Sequence, residues 1–308
     1  MVTGAAGFVG RHLVAALAEH GGRVTALDSD GARLAALAGA EVVRSGDVRD
    51  GPWLEGVVRD AEPHSIFHLA GAIGTASEDA GAFFDRNVAP TLALLEVVRR
   101  AAPEATVLLA SSSAVYGDAG GPVPVGEDTP LRPRTSYGAS KACQEMLALQ
   151  YFLGHGLRTV RVRTFNLVGP GQSPALVAAA VARQIVDCER CGGDTVLVGA
   201  THGRRDFLDV RDAVAAYRLL AERGTPGEVY NVCSGRSHAI QDCVDVLVGH
   251  ALRAVAVARD PGRMRGIDVL EQVGDNARLR AATGWEPRID LETSLVDLLE
   301  DVRGRDPK

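Results

Sequence analysis

The chain has 308 residues, 46% of them hydrophobic and 23% charged, with a formal net charge of −6. That is enough to bury a sizeable core, and the acidic balance argues against a nucleic-acid binder working through phosphate contacts. No apolar run approaches the roughly 20 residues of a membrane span. The first residues lack the basic and apolar regions of a signal peptide, so the reading is a cytoplasmic protein without a membrane partner.

The chain opens "MVTGAAGFVG", with Gly4, Gly7 and Gly10 in GxxGxxG spacing. Glycines at that spacing allow a tight turn and close approach to a pyrophosphate, and a helix starting near Phe8 and Val9 points its free N–H groups at the anion. Only Met1, Val2 and Thr3 precede the loop, where a central strand normally holds about four more residues. A shortened first strand is therefore expected, with fewer ladder hydrogen bonds, less apolar burial and a looser hold on the cofactor.

"RVTALD" (Arg23–Asp28) reads as the next strand. Asp28 ends it about twenty residues after the loop, where an acid holds the adenosine ribose hydroxyls and repels a 2′-phosphate. NAD(H) is thus expected over NADP(H). "AEVVRS" (Ala40–Ser45) is followed by Asp47 and Val48, within reach of the adenine, and "SIFHLA" (Ser65–Ala70) runs into Gly71. Small residues in "HLAGA" (His68–Ala72) let the cofactor lie close, with Leu69, Ala70 and Gly71 as candidate contacts, and His68 reads as a packed strand histidine. "FFDRNVAPTLALLEVVRRA" reads as helical, "ATVLLASS" (Ala105–Ser112) as a strand, "SYGASKACQEMLALQYFLGHG" as a helix and "RTVRVR" (Arg158–Arg163) as a strand.

This alternation predicts an α/β fold, a doubly wound parallel (Rossmann) sheet with helices on both faces. After Asn166 the rhythm breaks at "NLVGPGQSP". A helix follows through "ALVAAAVARQIVDCER", then a strand at "GEVYNVCS", a helix from about 239 to 251, and a last one at "LETSLVDLLEDVRGR". The expected layout is a dinucleotide-binding domain over 1–165, with 205–233 returning to it, and a smaller α/β substrate-binding part over 166–308.

Five cysteines in a chain without a secretion signal read as reduced thiols. Cys188 and Cys191 form a CxxC, but no second pair or nearby histidine makes it a zinc site, so no metal is expected. Lys141 and Lys308 are the two lysines, which draws attention to Lys141. It stands four residues after Tyr137, on one face of a helix, and "SSSAVYG" ends the preceding strand at the edge where ligands bind. A tyrosine is a poor base near neutral pH. A lysine cation about 4 Å away could favour the phenolate by on the order of 4 kcal/mol, partly opposed by desolvation. Tyr137 then becomes a general acid–base, with a serine on the substrate oxygen.

With the glycine loop, Asp28 and the serine strand in order, nearly the whole chain resembles the extended short-chain dehydrogenase/reductase family that acts on nucleotide sugars. The resemblance makes Ser112, Tyr137 and Lys141 the catalytic trio and places Asn87, in "RNVAPT", near the nicotinamide ribose. "RTFNLVGPGQSP", "RRDFLDVRDAVAAY", "GEVYNVCSG" and "DNARLRAATGWEPRIDLETSLVDLL" are similar to the GDP-mannose dehydratase and GDP-4-keto-6-deoxymannose reductase branch. That implies Asn166, Arg205 and Arg265 on the substrate diphosphate, a task suited to arginine. Dehydratases of the family carry an acid just after the catalytic serine or threonine, where this chain has Ser113 and Ala114. The expectation is a 4-ketoreductase of an NDP-4-keto-6-deoxyhexose. A 4-epimerase with the same trio and a non-catalytic nucleotide-binding protein on the same fold stay open, as does the nucleotide base. Family members often dimerise through helices near Phe83–Arg100 and Tyr137–Gly154, so a homodimer is expected.

Overall fold

The computed structural model of the chain describes residues 1–73, 79–119, 123–263 and 269–305. Through the first half, short apolar runs become strands and the amphipathic stretches between them become helices. β1 (Val2–Thr3) leads to α1 (Phe8–Glu19), β2 (Thr25–Asp28) to α2 (Gly31–Ala35), and β3 (Val42–Ser45) to α3 (Gly51–Ala61). β4 (Ser65–His68) is followed by α4 (Ala80–Phe83), a π-helical turn (Phe84–Val88) and α5 (Ala89–Ala101). β5 (Thr106–Ser112), α6 (Ser136–His155) and β6 (Thr159–Thr164) close that half. The second half holds β7 (Asn166–Val168), α7 (Val177–Cys191), β8 (Thr195–Val198), β9 (Arg204–Asp209), α8 (Val210–Arg223) and β10 (Val229–Val232). β11 (Ser237–Ala239), α9 (Ile240–Gly249), β12 (Ala256–Arg259), β13 (Glu271–Gln272), α10 (Ala277–Thr283) and α11 (Leu291–Arg305) complete it.

Seven strands form the expected doubly wound parallel sheet, in the order β10-β6-β5-β4-β1-β2-β3. The order reverses between β1 and β4, the switch point where open α/β sheets bind ligands. On one face Leu13 and Val14 of α1 and Val214 and Tyr217 of α8 pack on Val2 and Val162. On the other, Leu54 of α3, Leu94 of α5 and Tyr151 of α6 cover Leu27, Ile66 and Val107. Burial on both faces is why these strands read as continuous apolar runs. A separate core joins α7, α9 and α11 through Ile185, Leu247 and Leu298.

β1, two residues long, lies at the centre of this sheet. Val2 and Thr3 pair with Ala26 and Leu27 on one side and with Phe67 and His68 on the other. The Met1 ammonium donates to the Ser65 carbonyl at 2.8 Å. Six strands were not anticipated: β7, β8, β9, β11, β12 and β13. They are two to six residues long, lie outside the seven-stranded sheet, and none is buried along its whole length as β1 and β6 are. Among the described residues no helix is long and apolar enough to cross a membrane.

Candidate active site

The glycine loop turns at Gly4, whose φ of +68° favours glycine. A Cβ there would lie 2.7 Å from the Ala70 nitrogen, so the loop sits directly on the chain leaving β4. A Cβ on Gly10 would lie 2.2 Å from the Gly4 carbonyl oxygen, which locks α1 against the turn. Gly7 caps α1 without a side chain of its own in the cap, leaving the first amides, at Phe8 and Val9, aimed at the sheet edge. Such a bare, glycine-lined helix start fits a pyrophosphate.

Asp28 ends β2 beside it. One carboxylate oxygen accepts from Ala6 N at 2.9 Å and the other from Asp30 N at 3.0 Å. Asp47 lies just past β3, where it accepts from Arg49, which holds its carboxyl below the usual range, and Val48 beside it is buried. After β4, Leu69 N donates to the Thr3 carbonyl and Ala70 N to the Thr3 hydroxyl. His68 is the packed histidine expected: its ring bridges the Thr3 and Thr91 hydroxyls, and burial lowers its pKa to about 3. Asn87 is buried, accepting from Ala72 N at 2.7 Å and donating to Ser140 Oγ at 2.9 Å. It thereby fastens the Gly71–Ala72 turn to α6.

Thr135 caps α6, accepting from Gly138 N at 3.0 Å. The cap fixes where the helix starts and so where Tyr137 and Lys141 point. β5 delivers its last residues to the same place, where the Ser112 hydroxyl favours ionisation of the Tyr137 phenol. The Lys141 ammonium nitrogen is 5.9 Å from the Tyr137 ring centroid and donates to the Ala110 carbonyl at 2.9 Å. Phe83 meets the tyrosine ring edge-on, with centroids 6.0 Å apart.

The structure corrects one expectation here. Burial pushes the Tyr137 phenol up, with the Ser112 hydroxyl opposing, rather than Lys141 drawing it down. Burial disfavours the charged form of each group, and desolvation lowers the Lys141 pKa to about 8 as well. Tyr137 therefore keeps its proton at neutral pH.

Asn166 starts β7 and registers opposite Phe207 of β9, two residues beyond Arg205. Alternation along β9 puts Arg205 and Phe207 on one face, so Asn166 and Arg205 share a side of the small sheet. Asn166 donates to the Asp206 carbonyl and Arg205 to the Arg204 carbonyl. Arg265 lies outside the described residues. In the turn after β5, Ser113 is buried and Ala114 N donates to Ser112 Oγ.

Sequence reasoning missed a buried network behind the trio. Glu145 accepts from Ser111 Oγ at 2.6 Å and from Arg163 at 2.8–3.1 Å, and Arg163 also donates to the Tyr116 hydroxyl at 3.0 Å. The signal was available, because Tyr137, Lys141 and Glu145 recur every fourth residue on one helix face.

Residues 1–233 match the NAD dependent epimerase/dehydratase family. The chain is 35% identical to GDP-6-deoxy-D-mannose reductase of Pseudomonas aeruginosa, over 99% of this chain and 97% of that protein. It superposes on the structure of RMD from Pseudomonas aeruginosa complexed with NADPH with a TM-score of 0.86, at 33% identity and covering 99% and 98% of the two chains. UDP-glucose 4-epimerase of Thermus thermophilus in complex with NAD is similar as well, with a TM-score of 0.86, 28% identity and 99% of each chain covered.

Proposed function

The chain belongs to the NAD dependent epimerase/dehydratase family, and from that premise we propose that it is a nucleotide-sugar 4-ketoreductase acting on an NDP-4-keto-6-deoxyhexose, with GDP-4-keto-6-deoxymannose as the first candidate. The observation that carries this reading is the meeting of Ser112, Tyr137 and Lys141 at the carboxyl end of β5, with Ser113 and Ala114 in the turn behind them. An elimination of water needs a second proton-transfer group, and neither of those residues supplies one. The 35% identity to a GDP-6-deoxy-D-mannose reductase points the same way.

Gly4, Gly7, Gly10 and the α1 start hold the cofactor's pyrophosphate, Asp28 its adenosine ribose, and Asp47, Val48 and Leu69–Ala70–Gly71 the adenine side. Asn87, Tyr137 and Lys141 would hold the nicotinamide-ribose end of the cofactor. The bound cofactor supplies a hydride to the C4 ketone. Tyr137, kept protonated by burial, gives its proton to the C4 oxygen, and Ser112 donates a hydrogen bond to that oxygen as charge develops. Lys141 supplies positive charge behind the phenol. Asn166, Arg205 and Arg265 take the substrate diphosphate. The Asp28 carboxylate favours NAD(H) over NADP(H), because it would meet a 2′-phosphate with like charge. Residues 1–165 with 205–233 act as the cofactor domain and 166–308 as the substrate part. The enzyme works in the cytoplasm as a homodimer through α5 and α6, which expose Leu92 (43%), Met146 (46%) and Leu153 (72%).

A 4-epimerase is the second reading, favoured by the same trio and by the likeness to UDP-glucose 4-epimerase. Incubation with GDP-4-keto-6-deoxymannose and with its dTDP counterpart separates the two. Stoichiometric NADH loss with one of them supports the ketoreductase. Tightly held NAD and interconversion of a UDP-sugar at C4, without net redox, would replace it with the epimerase.

A further inference from the structure

Three consecutive residues of β5 engage three residues of α6 spaced one turn apart. The Ala110 carbonyl accepts from Lys141 and the Ser111 hydroxyl donates to Glu145, while the Ser112 hydroxyl acts on the Tyr137 phenol. Two of those α6 residues face the reaction, and the third, Glu145, is sealed behind them. Its side chain is 0% exposed and that of its partner Arg163 is 5% exposed. A buried ion pair is weak evidence for stability, because desolvating two charges offsets most of their attraction. Its placement one turn past a buried lysine suggests another role.

We infer that Glu145 is a positioning residue: its carboxylate, held by Arg163 and Ser111, supplies the counter-charge that keeps Lys141 protonated behind Tyr137. Arg163 is itself anchored, donating to the Tyr116 hydroxyl and to the Glu127 carbonyl at 2.8 Å, with its guanidinium stacked 4.8 Å from the Tyr116 ring. The carboxylate is therefore fixed in place. The groups that face this stack are few in kind. His68 of β4 is neutral, Arg161 and Arg163 of β6 are cationic, and Tyr116 and Tyr217 are protonated phenols. Burial draws the Lys141 ammonium down and Glu145 pushes it back up. Removing that negative charge leaves Arg163 unbalanced near the ammonium, so Lys141 must lose its proton at lower pH. Loss of the charge also eases deprotonation of Tyr137, which moves activity in the same direction.

The chain carries two lysines, Lys141 and Lys308, so protein labelled with 13C at lysine Cε gives two signals, and Lys141 can be titrated directly. This readout does not depend on turnover. Failure of wild type to oxidise NADH would count against the ketoreductase reading on which the proposal rests, while the lysine titration tests the proposal itself. Glu145→Gln is expected to lower the Lys141 midpoint by about one pH unit, with the Lys308 signal unchanged and the alkaline limb of kcat following. Ser111→Ala removes a neutral donor and leaves both charges, which covers the case where Glu145→Gln fails to fold. It is expected to raise the midpoint by about half a unit. A Lys141 midpoint that stays put in every variant that folds overturns the proposal.

Discussion

Lengthening β1 by four apolar residues ahead of Met1 is expected to stabilise the protein more at pH 6 than at pH 8. The Met1 ammonium lies at the edge of a cavity of about 570 Å³ between β2 and β4, lined by Val24, Val42, Val57 and Phe67 among others. Burial there lowers its pKa from 8.0 to about 6. A basic group depressed by folding binds its proton more tightly in the unfolded chain, so stability is lost as pH falls through 8 toward 6 and is free of the penalty above 8. A shift of this size costs about 2 kcal/mol at pH 6 and less than about 1 kcal/mol at pH 8. An extension moves the charge into solvent and continues β1 between Val24 and Ser65. Its advantage should then be greater at pH 6 by nearly 2 kcal/mol, or about 4 °C in Tm. The assay is calorimetric Tm for both proteins at pH 6, 7 and 8, with retained Met1 checked by mass. The remaining titrating groups are common to both proteins and cancel. An advantage that does not change with pH would refute the reasoning, and no advantage at any pH would show that a two-residue β1 costs nothing.

Asp28→Ala removes the acceptor for Ala6 N and Asp30 N; KM for NADH should rise about tenfold and that for NADPH less, and an unchanged ratio of the two would count against Asp28 as the selector. Gly10→Ala places a Cβ 2.2 Å from the Gly4 oxygen, so cofactor affinity by fluorescence titration should fall at least about a hundredfold, and affinity within a factor of two of wild type would contradict the loop geometry. Asp206 is buried and accepts from Ser234 N, Ser234 Oγ, Gly235 N and Gly274 N. Asp206→Ala orphans these donors and should cost about 3 kcal/mol or more in urea unfolding, and a loss under about 1 kcal/mol would contradict that role.

The parallel sheet was legible in the sequence because its strands are covered on both faces and its glycine loop has few physical alternatives. β1 was legible from Met1–Thr3 alone, since the glycine loop behind those residues needs a strand to deliver it. β7, β8, β9, β11, β12 and β13 were not legible, because their pairing comes from neighbours brought together by the fold. Within the site, Tyr137 and Lys141 could be placed on one helix face from spacing. Their protonation could not, because burial decides it and burial is a property of the packed whole. Glu145 shared their spacing and was passed over, since a charged residue on a helix usually faces water. Arg163 likewise sits in "RTVRVR", where nothing local shows that a strand arginine is buried against a glutamate.

Net hydride transfer that depends on Tyr137 is the central claim. The most direct measurement uses NADH deuterated at the transferable position, with GDP-4-keto-6-deoxymannose, comparing wild type with Tyr137→Phe. The expected result is a product with deuterium at C4, formed in step with NADH loss, and a rate lower by about a hundredfold or more in Tyr137→Phe. Deuterium transfer at the wild-type rate in Tyr137→Phe, or turnover of a nucleotide sugar with no deuterium gained, would contradict it.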